Sequence, residues 1–176
     1  DVTQEGAPIE DKTFDVVLTN PPFGAKIVAA SAKTLLRYDL ARKWVKADNG
    51  KEVFTLNGGV NTSTSPQILF VERCLKLVKP GGYLGAILPE SMVSSKSHGY
   101  VVQYMQNAAE LISVVGMPEA LFKTSGKGGT HTKTVAVVFQ KKPAKGKRSS
   151  VFFAEAKWCG HDSRGRNVPL NHVPQI

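Results

Sequence analysis

The sequence predicts an α/β fold, a layered and mainly parallel sheet with helices on its faces and an antiparallel strand closing the series. Two observations carry this expectation. Short apolar runs bounded by turn residues, the pattern of strands buried on both faces, alternate along the chain with segments of helical period. Runs ordered in this way are joined by right-handed crossovers, which stack helices against the sheet.

The first run, TFDVVLT at 13–19, is a buried strand that Asn20-Pro21-Pro22 must stop. Consecutive prolines donate no ladder hydrogen bonds and bias their predecessors away from helical torsions, so Asn20 is held stiffly at a strand's carboxyl end. Residues 24–64 carry no sustained period and form a long excursion from the sheet, with a short helix around Ala32–Lys46. Segments of this kind usually serve as lids or binding loops.

SPQILFVERCLKLVK at 65–79 is the clearest helix, with Ser65 at the cap, Pro66 in the first turn and Ile68, Val71, Leu75 and Val78 on one face. Lys79-Pro80-Gly81-Gly82 terminates it. Tyr83–Leu88 is a second buried strand, ended by Pro89, and a second helix lies between Ser97 and Glu110. Leu111–Gly116 and Thr134–Gln140 are the third and fourth strands, paired antiparallel across the glycine-rich Thr124–Lys133. Beyond them, KKPAKGKRSS at 141–150 is a basic linker, Val151–Glu155 an edge strand, and the polar remainder to Ile176 has no period. Residues 1–140 thus form the main unit, which 141–176 continue.

A length of 176 residues, 41% of them hydrophobic and 21% charged, fits a soluble globular domain and excludes disordered and collagen-like classes. No run approaches the ~18 to 20 apolar residues that cross a bilayer. The acidic amino end does not read as a signal peptide, and Cys74 and Cys159 lack paired zinc spacing, so a reducing, cytoplasmic location is expected. The 23 Lys and Arg against 14 Asp and Glu, a net charge of +9, point to a polyanionic partner.

The chemistry concentrates in Asn20-Pro21-Pro22-Phe23. A planar amino group becomes a nucleophile when acceptors hold its protons and turn its lone pair out of conjugation. An Asn side-chain oxygen and a proline-fixed carbonyl supply two such acceptors, and an adjacent aromatic ring can stack on the heterocycle. The carboxyl end of a strand is where open α/β sheets bind ligands.

FDVVLTNPPFG closely resembles the catalytic motif of S-adenosylmethionine-dependent amino-methyltransferases. The wider neighbourhood, NPPFGAKI, Tyr38–Trp44, SPQILFVERCLKLVKPGGYLGAILPE and AEAKWCGHDSRGR, is similar to the adenine-specific DNA methylases of restriction-modification systems, nearest to the modification subunit of type I systems. The resemblance runs from about Phe14 to about Arg166.

It implies a partial Rossmann-like, class I methyltransferase sheet, S-adenosylmethionine as cofactor, duplex DNA with a flipped-out adenine as substrate, and specificity and restriction subunits as partners. Asn20 and the Pro21 carbonyl would hold the exocyclic amine, Pro22 would stiffen the turn, Phe23 would stack on the base, and Asn20 would also border the cofactor. No metal is required. Two further readings stay open, an RNA or protein-glutamine amino-methyltransferase and a non-catalytic basic binding or assembly module.

The family's glycine-rich cofactor turn does not precede Asn20. The chain is therefore expected to be the carboxyl-terminal part of a catalytic domain, inactive alone. Lys123, Lys127 and Lys133, around the glycine-rich connection, are expected to approach DNA phosphates. Gly126–Thr130 does not match a phosphate loop, and Cys159, His161, Asp162 and His172 lack catalytic or metal-site spacing and read as solvated loop residues. Trp44 and Trp158 are expected in the core.

Overall fold

The run after Thr13 forms strand β1 (Phe14–Thr19), in a computed structural model that describes residues 9–22, 31–47, 54–123, 132–142 and 150–176. The chain continues through helix α1 (Ala32–Leu35), strands β2 (Arg42–Lys46) and β3 (Phe54–Val60), helix α2 (Pro66–Leu77), strand β4 (Val78–Pro89), and helices α3 (Glu90–Ser94) and α4 (Gly99–Ala108). Strands β5 (Ala109–Gly116), β6 (Thr134–Lys141), β7 (Phe152–Glu155), β8 (Cys159–His161) and β9 (Asn167–Asn171) complete it.

Five strands make one sheet in the order β1-β4-β6-β5-β7. β1 runs parallel to β4 and β5 parallel to β7, while β6 is antiparallel to both of its neighbours. Four strands therefore point one way, as expected. The antiparallel strand lies inside the sheet, between β4 and β5.

One face of this sheet is dry. Leu84, Ala86 and Leu88 of β4 and Val135, Val137 and Phe139 of β6 alternate into a core with Ile68, Val71 and Leu75 of α2 and Val101 and Met105 of α4. The other face is bare among the described residues: Val16 is 54% exposed and Leu18 80%. Helices were expected on the faces of the sheet, and among the described residues α2 and α4 pack on this one.

Helix α2 starts as expected, with Ser65 at the cap position and Pro66 next, although the Ser65 hydroxyl makes no capping bond. It stops at Leu77, and β4 begins at once. The Pro80-Gly81-Gly82 turn thus lies within β4, where the pairing with β1 jumps from Phe14–Val78 to Val16–Tyr83. Gly81 has φ +80°, and a Cβ on Gly82 would lie 2.6 Å from the Asp15 carbonyl oxygen and 2.9 Å from Val78 Cγ1.

The excursion departs most from expectation. The helix foreseen over Ala32–Lys46 is only the four residues of α1, and Asp39–Ala41 form a 3-10 turn followed by the antiparallel pair β2–β3. Long-range partners explain the difference. Glu72 of α2, fully buried, accepts hydrogen bonds from the backbone N–H groups of Asp39 at 3.0 Å and Leu40 at 2.8 Å, with Lys76 Nζ 2.6 Å away. Trp44 Nε1 donates to the Asp39 carbonyl, and the Gln103 amide both accepts from Phe54 N and donates to Phe54 O.

Leu35, Tyr38 and Ala41 pack on Leu69, so α2 is covered on both sides. Trp44 joins the core edge, stacked on Tyr100, whereas Trp158 is 42% exposed, contrary to expectation. The polar tail, which has no period in sequence, forms the β8–β9 hairpin, turned at Asp162–Arg166.

Truncating Glu72 to Ala would leave the N–H groups of Asp39 and Leu40 without their acceptor and remove the ion-pair partner of Lys76. A loss of about 3 kcal/mol or more is expected in denaturant unfolding, with Glu72→Gln losing less. Gly82→Ala should cost about 1 to 3 kcal/mol in the same measurement, because the opposing atoms include backbone.

Candidate active site

Asn20 follows β1 directly, beside the pairing of Thr19 with Ala86 of β4. Its side chain is exposed and, among the described residues, has no hydrogen-bond partner. Pro21 is fully buried and Pro22 exposed. One ring is thus driven into the protein while the residues on either side face out, which fixes the backbone under the Asn20 amide. Phe23 lies outside the described residues.

The strand end is itself anchored to α2. Cys74 is buried, and burial pushes its thiol up, with a hydrogen bond to Thr19 acting in the opposite direction. The same helix therefore holds the last residue before Asn20 on its inner side and the Asp39–Ala41 turn, through Glu72, on its outer side. Glu72 was not singled out in the sequence. Its only signal was a carboxylate in an apolar stretch, one turn before Lys76.

Beside Asn20 the bare sheet face forms a shallow hollow of about 410 Å³, floored by Leu18, Gly85, Ile87, Ala136 and Val138. Thr19 and Asn20 are the polar residues of its lining. This suits contact with an apolar or aromatic surface and an amine acceptor. A cofactor carrying ribose hydroxyls and a charged amino-acid end needs carboxylate and further polar partners, and these described residues do not supply them. These described residues offer acceptors for an amine and do not supply the polar partners that such a cofactor needs.

At the same end of the sheet, Lys133 Nζ stands 3.6 Å from the Glu90 carboxylate and 3.9 Å from that of Glu155, and its carbonyl accepts from Glu90 N. Lys123 Nζ lies 3.2 Å from Glu119. Both lysines thus have carboxylate neighbours, and Lys127 lies outside the described residues. In the tail, Cys159 Sγ is 3.6 Å from His161 Nε2, while His172 Nδ1 accepts from Lys157 N. Among the described residues no group of three metal-ligating side chains converges.

A sequence model of the family described as N-6 DNA methylase matches residues 2–173. The uncharacterised Bacillus subtilis protein YtxK is 28% identical over 83 residues, 47% of this chain and 25% of that protein. A Listeria monocytogenes structure described as a class I S-adenosylmethionine-dependent methyltransferase is similar with a TM-score of 0.56 at 20% identity, over 82% of this chain and 37% of its own. The methyltransferase subunit of a type I restriction-modification system from Streptococcus thermophilus gives 0.53 at 19%, over 86% and 32%. The M protein of the type I restriction enzyme EcoKI gives 0.53 at 15%, over 94% and 30%.

These solved structures share the mixed α/β, class I methyltransferase-like fold. The chain spans between 25% and 37% of the length of these four proteins.

Asp162 organises the β8–β9 turn. Hydrogen bonds from the backbone of Arg166 first, then from its side chain and from Arg164 N, hold its carboxyl down to about 2. A depressed carboxyl stabilises the turn above its ordinary value near 3.8, and that contribution is lost as pH falls through about 2. An NMR titration should show the Arg164 and Arg166 amide resonances moving with a midpoint near 2, and Asp162→Asn should abolish that midpoint.

Proposed function

The chain belongs to the N-6 DNA methylase family, and from that premise we propose that it is the base-holding part of an enzyme that methylates the exocyclic amine of adenine in DNA. The observation that carries this reading is the pairing of an outward Asn20 amide with a buried Pro21 ring at the carboxyl end of β1. Oδ1 of Asn20 and the carbonyl of Pro21 accept the two hydrogens of the amine, which turns its lone pair away from the ring. Phe23 stacks on the extruded base, and the shallow apolar hollow beside Asn20 offers a surface against which an aromatic or apolar group can pack.

The methyl donor in this reading is S-adenosylmethionine. The described residues beside Asn20 offer acceptors for the amine, and this reading assigns them to the substrate side of the reaction. Two features support a role within a larger catalytic domain. Among the described residues, the bare sheet face exposes Val16 and Leu18 and β1 lies at the sheet edge, although parallel strands are normally covered on both faces. Specificity and restriction subunits are the partners this reading assigns, within the cytoplasm.

Asn20→Ala in the full-length protein should lower the methylation rate on duplex DNA roughly a hundredfold or more. DNA affinity should be preserved; an unchanged rate would refute the assignment. Titration of S-adenosylmethionine into the 176-residue chain by calorimetry should give no tight binding, and tight binding would show that the cofactor half is present here.

A further inference from the structure

We propose that the β2–β3 hairpin and the turn before α4 form a basic platform that holds the phosphate backbone of duplex DNA beside the extruded base, through Lys43, Lys46 and Lys96. This rests on the DNA-methylase reading above and adds to it a surface that the sequence did not single out.

Charge is distributed unevenly in this layer. Residues 31–60 hold Lys33, Arg37, Arg42, Lys43, Lys46 and Lys51 against Asp39, Asp48 and Glu52, and the Asp39 carboxylate lies 3.9 Å from Arg42 Nε. Strand β3 has no charged residue. Lys43, Lys46 and Lys96 are exposed. Among the described residues, Lys43 and Lys96 have no carboxylate within ion-pair reach, unlike Lys123 beside Glu119 and Lys133 between Glu90 and Glu155.

The platform is fixed before any ligand arrives. Glu72 clamps the turn leading into β2, Gln103 binds Phe54 through both its amide atoms, and Trp44 stacks on Tyr100 with ring centroids 5.9 Å apart. Gly58 and Gly59 have φ of +65° and +42°, and the Lys43 stem lies across Gly59, its Cδ 3.6 Å and Cε 3.8 Å from where a Cβ there would sit. A side chain at Gly59 would narrow the track along which Lys43 extends. Lysines carried on a rigid surface lose less freedom on contacting a phosphate than lysines on a loose loop.

The position is also suitable. Lys46 pairs with Phe54, whose ring closes on Gly99 so tightly that a Cβ there would be 2.8 Å away. Gly99 opens α4 soon after the carboxyl end of β4, and β4 runs parallel to β1, so this end of the hairpin and Lys96 lie toward the same end of the sheet as Asn20. A base extruded toward Asn20 brings its flanking phosphates to that rim.

The test uses the full-length protein and a duplex containing its methylation site, with affinity measured across a salt series. Each lysine that neutralises a phosphate contributes about 0.9 to the slope of log affinity against log salt. Lys43→Gln, Lys46→Gln and Lys96→Gln combined should make that slope shallower by about 2 to 3 and weaken binding about tenfold or more near physiological salt. KM for DNA should rise while kcat at saturating DNA stays unchanged. The charge-reversed set, Lys43→Glu, Lys46→Glu and Lys96→Glu, should weaken binding further, with thermal melting verifying the fold of both sets.

An unchanged slope in variants of a wild-type protein that methylates DNA would overturn the platform and leave the enzymatic reading intact. A wild-type protein that neither binds nor methylates duplex DNA would overturn both, and that outcome is seen before any substitution is made.

Discussion

Helix α2 is packed on both sides, and one buried carboxylate makes that arrangement possible. Its inner face, with Ile68, Val71 and Leu75, seals the sheet, and its outer face carries Leu69 against Leu35, Tyr38 and Ala41. Between these apolar contacts the Asp39–Ala41 turn would bury backbone donors without partners. Glu72 satisfies two of them, and its own charge is compensated by Lys76, which also lies over the Tyr38 ring at 5.4 Å. A buried carboxylate with neither partner would be strongly disfavoured. With both, it converts a polar excursion into a third layer.

The same helix joins that layer to the strand end that carries Asn20. Thr19 meets Cys74 on the inner face of α2, so the strand end that presents Asn20 and the outer layer that carries the basic hairpin share one rigid element. Pro21 adds the local part of this rigidity, since a buried ring with fixed φ leaves the Asn20 backbone little room to move. An acceptor that must hold an amine in one orientation gains most from such support. Over its described residues the excursion, read in the sequence as a lid or binding loop, packs on α2 and α4.

Much of the sheet was legible because its signals are local. TFDVVLT, Tyr83–Leu88, Leu111–Gly116 and Thr134–Gln140 are short apolar runs punctuated by Pro and Gly, and each became a strand near its expected bounds. The motif at Asn20-Pro21-Pro22 was legible for the same reason, since proline stiffness acts on its immediate neighbours. The β2–β3 hairpin was not. RKWVK has no alternation that separates strand from helix, and its partner FTLNGGV carries two glycines that weaken a strand reading. What decides the conformation is the set of bonds from Glu72 and Gln103, 32 to 49 residues away in sequence. The terminal hairpin was hidden similarly, in a polar stretch whose turn depends on how Asp162 gathers the donors of Arg164 and Arg166.

By itself, then, the order of residues determined the α/β class, the strands of the main sheet, the principal helix and the stiff Asn20 turn, because periodicity and proline geometry operate within a few residues. Tertiary structure alone decided that β6 enters between β4 and β5, that among the described residues one sheet face is covered and the other bare, and that residues 31–60 form a docked layer over their described parts. Those outcomes turn on groups far apart in sequence finding one another in a dry interior, where a carboxylate such as Glu72 is stable only with its particular partners. No local pattern records which partners those are.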